Sequence, residues 1–207
     1  MILEQAAVPS QEWVDTSSGC LTSRSVSQHM SKTELRGQLQ TIKNNYALVQ
    51  AGIMFLAQPG AQTKFDEYFA AVSVHPEAKG FGYIRYVFES DELLALATNQ
   101  LRKSVLRNCL KEMFELVKAY GLETNQIKIL RVAQWYQFLR MMRNSLSHDF
   151  CVRYEKNDLK LLPITWSGLT LAASMDGSEL PMAGFLTRVK ILELMDNVIA
   201  YVEQHVG

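Results

Sequence analysis

The chain predicts an all-α fold, a bundle of about four to five helices with one small β-hairpin set in before the C-terminal helix. Three observations carry this expectation. Gly and Pro are sparse, and long stretches pass without either. Apolar residues recur at three- and four-residue intervals along most of the sequence. Only between about residues 159 and 183 does that period give way to near-alternation.

The elements follow in order. Residues 1–30 are rich in Ser, Thr and Gln, show no sustained period, and are expected to be a flexible polar lead-in. Residues 31–207 are expected to form a single helical domain. Ser31 followed three residues later by Glu34 is a capping-box pattern, and Leu35, Leu39, Ile42, Tyr46, Val49 and Ile53 mark one buried face of the first helix. Pro59-Gly60 ends it. A shorter helix over about Thr63–Val74 carries Phe65, Tyr68, Phe69 and Val72. Residues 83–88 fit either a short strand or the lead into the next helix.

Ser90, with Asp91 and Glu92 behind it, caps a long helix. Its expected apolar face runs from Leu94 through Ala97, Leu101, Val105, Cys109, Met113 and Leu116 to Tyr120, with Gly121 as the stop. Arg102, Lys103, Arg107 and Lys111 lie opposite. One further helix, Ile127 to Met142, is apolar on nearly every side and should therefore be central. Leu159, Leu161, Ile164, Trp166, Leu169 and Leu171 alternate with polar residues, and Asp176-Gly177 supplies a tight-turn dipeptide. The last helix, about Phe185–Val206, carries Leu186, Val189, Leu192, Met195, Ile199 and Val202.

Composition limits the function. The chain has 21 basic and 21 acidic residues, so no overall field draws it to nucleic acid or to an anionic membrane. The charge is uneven, however: residues 101–160 hold 12 Lys or Arg against 6 Asp or Glu. A basic central segment suits a phosphate-bearing ligand. Cys20, Cys109 and Cys151 lack any C-x-x-C pair, so neither a disulfide framework nor a zinc knuckle is expected. No Asp, Glu and His cluster has convincing metal-ligand spacing, and neither metal nor cofactor is expected. The N-terminus lacks a basic start and an apolar run, and no stretch approaches a membrane span; the expected location is cytoplasmic.

One short string stands apart, Arg143-Asn144-Ser145-Leu146-Ser147-His148, at the end of the central helix. The spacing R-x₄-H alone is expected by chance about 0.2 times in this composition, and Arg24 and His29 form a second copy. That copy has neither Asn after the Arg nor a helix beneath it. Demanding Asn lowers the chance expectation to about 0.01. In an unbroken helix Asn144 and His148 share a face one turn apart, while Arg143 and His148 differ by roughly 140° and would flank a cleft.

The residue types suit phosphodiester cleavage. His titrates near neutrality and can take or give a proton. Arg keeps its charge and offers a forked pair of donors to a phosphate. Asn can hold the imidazole or the substrate in register, and in RNA the 2′-OH is a built-in nucleophile, so no metal is needed. The structural alternative is a His that only caps a helix end and an Arg that pairs with Asp149. Ser145 and Ser147 have no adjoining base and are not expected to be nucleophiles. Trp135, Tyr136 and Phe138 read as core rather than as a base-stacking platform.

The string resembles the signature of the HEPN family, helical proteins marked by R-x₄₋₆-H with a polar residue, often Asn, after the Arg. Arg143, Asn144 and His148 match it position by position. The resemblance implies a helical bundle over residues 31–207 and a homodimer whose two motifs face each other across the interface. It implies a metal-independent ribonuclease that leaves a 2′,3′-cyclic phosphate and a 5′-OH in a toxin–antitoxin, phage-defence or RNA-processing setting, with a possible antitoxin partner. Other members of the family are non-catalytic dimerisation or RNA- and nucleotide-binding modules. In one subgroup a Tyr two residues after the His is adenylylated by the antitoxin; that position here is Phe150, which has no hydroxyl to modify.

Overall fold

Helix α1 begins where its capping chemistry says it should. In the computed structural model, which describes residues 30–72, 84–181 and 184–207, α1 spans Lys32–Leu56. The Ser31 hydroxyl accepts from the Glu34 backbone N–H at 3.2 Å, and the Glu34 carboxylate accepts from the Ser31 N–H at 2.7 Å. Those bonds from Ser31 hold the Glu34 carboxyl below its usual range. Leu35, Leu39, Ile42, Tyr46 and Ile53 are buried, as the period demanded. Gln50 joins them in place of Val49.

Two short helices follow, α2 (Ala61–Val72) and α3 (Ile84–Val87), so residues 84–87 lead into the next helix and are not a strand. Helix α4 (Asp91–Glu123) is capped by the Ser90 hydroxyl, which accepts from the Leu93 N–H at 3.2 Å. Only its second half is core. Leu106, Cys109, Leu110, Met113, Phe114, Val117 and Tyr120 are buried, whereas Leu101, expected on the buried face, is 43 % exposed. The helix also runs past Gly121. Its turn comes at Asn125, in the left-handed region at φ 59°, and Gly121 serves a close approach, since a Cβ there would collide with Leu130 Cδ1.

The stretch expected as one central helix is two: α5 (Ile127–Arg131) and α6 (Gln134–Ser147), broken at Val132-Ala133. Helix α6 is nonetheless central, with Trp135, Tyr136, Phe138, Leu139, Met141, Met142 and Leu146 buried. Beyond it come a single turn, α7 (Lys156–Leu159), and the hairpin β1 (Ile164–Trp166) and β2 (Leu169–Leu171). The strands are antiparallel with Thr165 opposite Thr170. The hairpin turn is Ser167-Gly168, both at positive φ, as the twist of a two-residue loop requires. Asp176-Gly177 instead follows a one-turn 3₁₀ helix at Ala173–Met175. Helix α8 (Arg188–His205) closes the fold, capped by Thr187.

The fold is thus all-α with a two-stranded hairpin before the C-terminal helix. Four long helices, α1, α4, α6 and α8, form the core. Antiparallel α1 and α8 are laced by Lys43–Asp196 and Arg36–Glu203 ion pairs. The hairpin covers one side of α6 through Trp166, whose ring centroid lies 5.5 Å from that of Phe138. Val189 is 73 % exposed, a departure from the expected face of α8. Among the described residues no helix is long and apolar enough to cross a membrane. Residues 1–29, including the expected lead-in and the Arg24–His29 copy, lie outside the described residues.

The two halves of α4 should respond differently to truncation. Leu110→Ala is expected to cost about 2–5 kcal/mol and Leu101→Ala under about 1 kcal/mol, read by urea unfolding. Alkali supplies a second test. Burial pushes the Tyr46 phenol up to about 12 and the Cys109 thiol up to about 11. The folded chain therefore holds protons that the unfolded chain releases, so stability present below pH 9 falls as pH climbs toward 12. Tyr46→Phe is expected to flatten the loss between pH 10 and 12 in thermal melts; parallel curves would contradict it.

Candidate functional site

The burial of α6 determines where its few polar side chains emerge. Between the exposed ends Gln134 and Ser147, only Gln137, Arg140, Arg143 and Asn144 of α6 are half-buried, and they descend toward its C-terminal end. Arg140 is occupied within the fold: its Nη2 donates to the buried Asp158 carboxylate at 2.5 Å and its Nε to Gln137 at 2.8 Å. Arg143 and Asn144 are one turn further on, and Ser147 ends the helix.

Arg143 faces α4. Its guanidinium lies 5.0 Å from the Phe114 ring centroid, and Nη2 is 2.6 Å from Glu115 Oε1. Its side chain is 21 % exposed and Nε is enclosed without a hydrogen-bond partner among the described residues. The plane of the guanidinium is therefore set before any ligand arrives, by contacts worth about 0.5–2 kcal/mol for the ring and up to about 1 kcal/mol for the half-wet ion pair. The pairing with Asp149 that the structural alternative required is not made; Asp149 pairs with Arg107 instead.

His148 is the C-cap of α6, at φ −100° and ψ 45°, and its backbone N–H donates to the carbonyls of Asn144 and Ser145 at 3.1 Å. Its side chain is exposed. Because His148 has left helical geometry, the angles of an unbroken helix do not apply to it, though Asn144 remains one turn behind. Asp149 and Phe150 follow at φ 57° and 64°, two consecutive left-handed residues. Such a conformation is uncommon for a bulky side chain. Burial of the Phe150 ring, 1 % exposed, holds it there.

The sequence reading missed what surrounds this turn. Asp149 Oδ1 accepts from Arg107 Nη2 at 3.0 Å. Arg107 and Lys103 both sit over the Phe150 ring, 5.4 and 5.1 Å from its centroid. Lys103, Arg107, Lys111 and Glu115 are spaced every four residues on α4, a stripe visible in the sequence. Its alignment with the end of α6 was not visible, because it depends on how the two helices cross. Phe150 is thus the plate on which two cations of that stripe rest.

The remaining candidates resolve simply. The Ser145 hydroxyl donates to the Met141 carbonyl and that of Ser147 to the Arg143 carbonyl, so both back-bond within the helix, with no base acting on them. Cys109 is a core thiol, its ionisation suppressed by burial and then by Glu112. Trp135, Tyr136 and Phe138 are core, with Trp135 edge-on to Tyr201 at 5.8 Å. His205 packs tilted against Tyr201, ring centroids 4.5 Å apart, and His75 lies outside the described residues. Among the described residues no group of three or more His, Cys, Asp or Glu could hold a metal ion.

Fold and site together define a class, a four-helix core with an Arg–Asn–His string at the end of its central helix and a basic stripe beside it. Comparison of the chain with protein-family models, with curated proteins and with solved structures finds no match. Phe150 supplies the test of the local geometry. Phe150→Ala is expected to cost about 3–5 kcal/mol in urea unfolding. A cost under about 1 kcal/mol would mean that the ring does not anchor the turn after His148.

Proposed function

We propose that this chain is a metal-independent endoribonuclease of the HEPN type. The observation that supports it best is the delivery of Arg143, Asn144 and His148 by the last turn of the central helix of an all-α bundle, with the Arg pre-oriented and the His exposed. The RNA 2′-oxygen attacks the adjacent phosphorus and loses its proton. The bond from phosphorus to the 5′-oxygen breaks, and that oxygen gains a proton. The products are a 2′,3′-cyclic phosphate and a 5′-OH. His148 exchanges protons with the reacting oxygens, Arg143 stabilises the charge that builds on the phosphate, and Asn144 orients. The reading includes a homodimer with a composite site, a cytoplasmic location and a defence or toxin–antitoxin setting with a possible antitoxin partner.

A second reading, a non-catalytic dimerisation or RNA- or nucleotide-binding module, has its own support. The charge of Arg143 is already met by Glu115, which a phosphate would have to displace or share. Turnover separates the two. RNA incubated with the chain and excess EDTA is expected to be cut to cyclic-phosphate ends. His148→Ala should lower the rate at least about a hundredfold with an unchanged circular dichroism spectrum. Binding without cleavage, or equal cleavage by the variant, would contradict the nuclease reading.

A further inference from the structure

The negative end of the α6 dipole points at the turn that carries His148, which opposes an anion there. A phosphate held beside this turn must therefore draw its attraction from side chains, and Arg143 already has one carboxylate partner. Two cations beside this turn, Lys103 and Arg107, belong to α4. Arg107 is the one built most like a receptor. Its side chain is 35 % exposed, its guanidinium is plated on Phe150, and its Nε is enclosed with no partner among the described residues. Much of its freedom is already lost, so little more is lost on binding.

Its carboxylate partner is of the opposite kind. The Asp149 side chain is 97 % exposed and stands immediately after His148. Lys103 rests on the same ring, with Glu179, 75 % exposed, 3.6 Å away. Both cations are fixed and both counter-ions are wet. Along α4, Arg107 stands about 10 Å from Phe114, the ring beneath Arg143. Arg107 and Arg143 are thus about two helical turns apart as measured along α4, within the span of one short strand.

We propose that Arg107, supported by Lys103, is a second phosphate-binding position for single-stranded RNA, and that Asp149 occupies it in the free protein as an internal stand-in. An incoming phosphate takes the forked donors that Asp149 now uses singly. The released carboxylate is already in water, so its release costs little. The inference rests on the nuclease reading for its choice of RNA, but it concerns binding and is tested without turnover.

The test uses the full chain and a 2′-O-methyl RNA oligonucleotide, which lacks the attacking hydroxyl and cannot be cut. Affinity is followed by fluorescence anisotropy over a range of salt concentrations. Arg107→Gln is expected to weaken binding roughly tenfold. It should also flatten the slope of log K against log salt by about 0.7, the signature of one lost phosphate contact on a single strand. Asp149→Asn, which tolerates the left-handed backbone, should tighten binding several-fold. Unchanged affinity and slope in both variants would overturn the proposal. If Arg107→Gln loses its thermal melt, Asp149→Asn decides alone, and wild-type affinity in it overturns the proposal. A chain that cuts RNA through His148 but binds independently of Arg107 refutes this inference and leaves the nuclease reading standing. RNA binding that depends on Arg107 without any cleavage does the reverse.

Discussion

Helix α6 is buried on almost every side, and the helices and hairpin around it are arranged by that requirement. Phe138 is covered by Trp166 of the hairpin, and Phe114 of α4 lies against Tyr136, with ring centroids 5.3 Å apart. A helix so enclosed has little room for polar side chains. Arg140 meets the need by pairing with Asp158, itself buried, an arrangement that is costly unless both partners stay in place. Arg143 and Asn144 continue the half-buried polar edge of the helix, and at its end Ser147 and His148 reach solvent. The candidate site is thus a consequence of where the core ends. The burial behind it fixes the backbone of α6 from which those side chains leave.

The same boundary explains the aromatic plates. Phe114 and Phe150 are core residues whose faces meet the basic edge of α4 and α6. A guanidinium on such a face is held flat at little cost in hydration, because Arg is weakly hydrated for a cation. Each arginine also has a carboxylate, Glu115 for Arg143 and Asp149 for Arg107, so part of the positive charge is met within the fold while the donors stay oriented. In the proposed reading, a phosphate would compete with carboxylates of modest hold rather than with bulk water alone.

Much of this was legible in the sequence. The capping box at Ser31, the Ser90 cap, the hairpin and the apolar, central character of Ile127–Met142 were readable from local pattern, though not the break at Val132-Ala133 that divides that stretch into two helices. The misreadings share a cause. Gly121 looked like a stop, yet its missing Cβ serves contact with Leu130, which sequence cannot reveal. Leu101 and Val189 fit helical periods but face solvent, because amphipathicity marks a face without saying how far the core extends. At the site, Arg143, Asn144 and His148 stood out as a string. The contacts of Glu115, Arg107 and Phe150 did not, since they arise from the crossing of α4 over α6. The left-handed Asp149-Phe150 pair left no signal, as neither residue is a Gly.

The central claim is that Arg143 and His148, fixed by the end of α6, act on one and the same phosphate. Side-chain NMR during titration with a 2′-deoxy-substituted dinucleotide, which carries one uncleavable phosphodiester, tests this most directly. The account predicts that the His148 imidazole and Arg143 guanidinium signals move together, along a single binding curve. Movement of neither signal while the dinucleotide binds elsewhere, or of the two along separate curves, would contradict it.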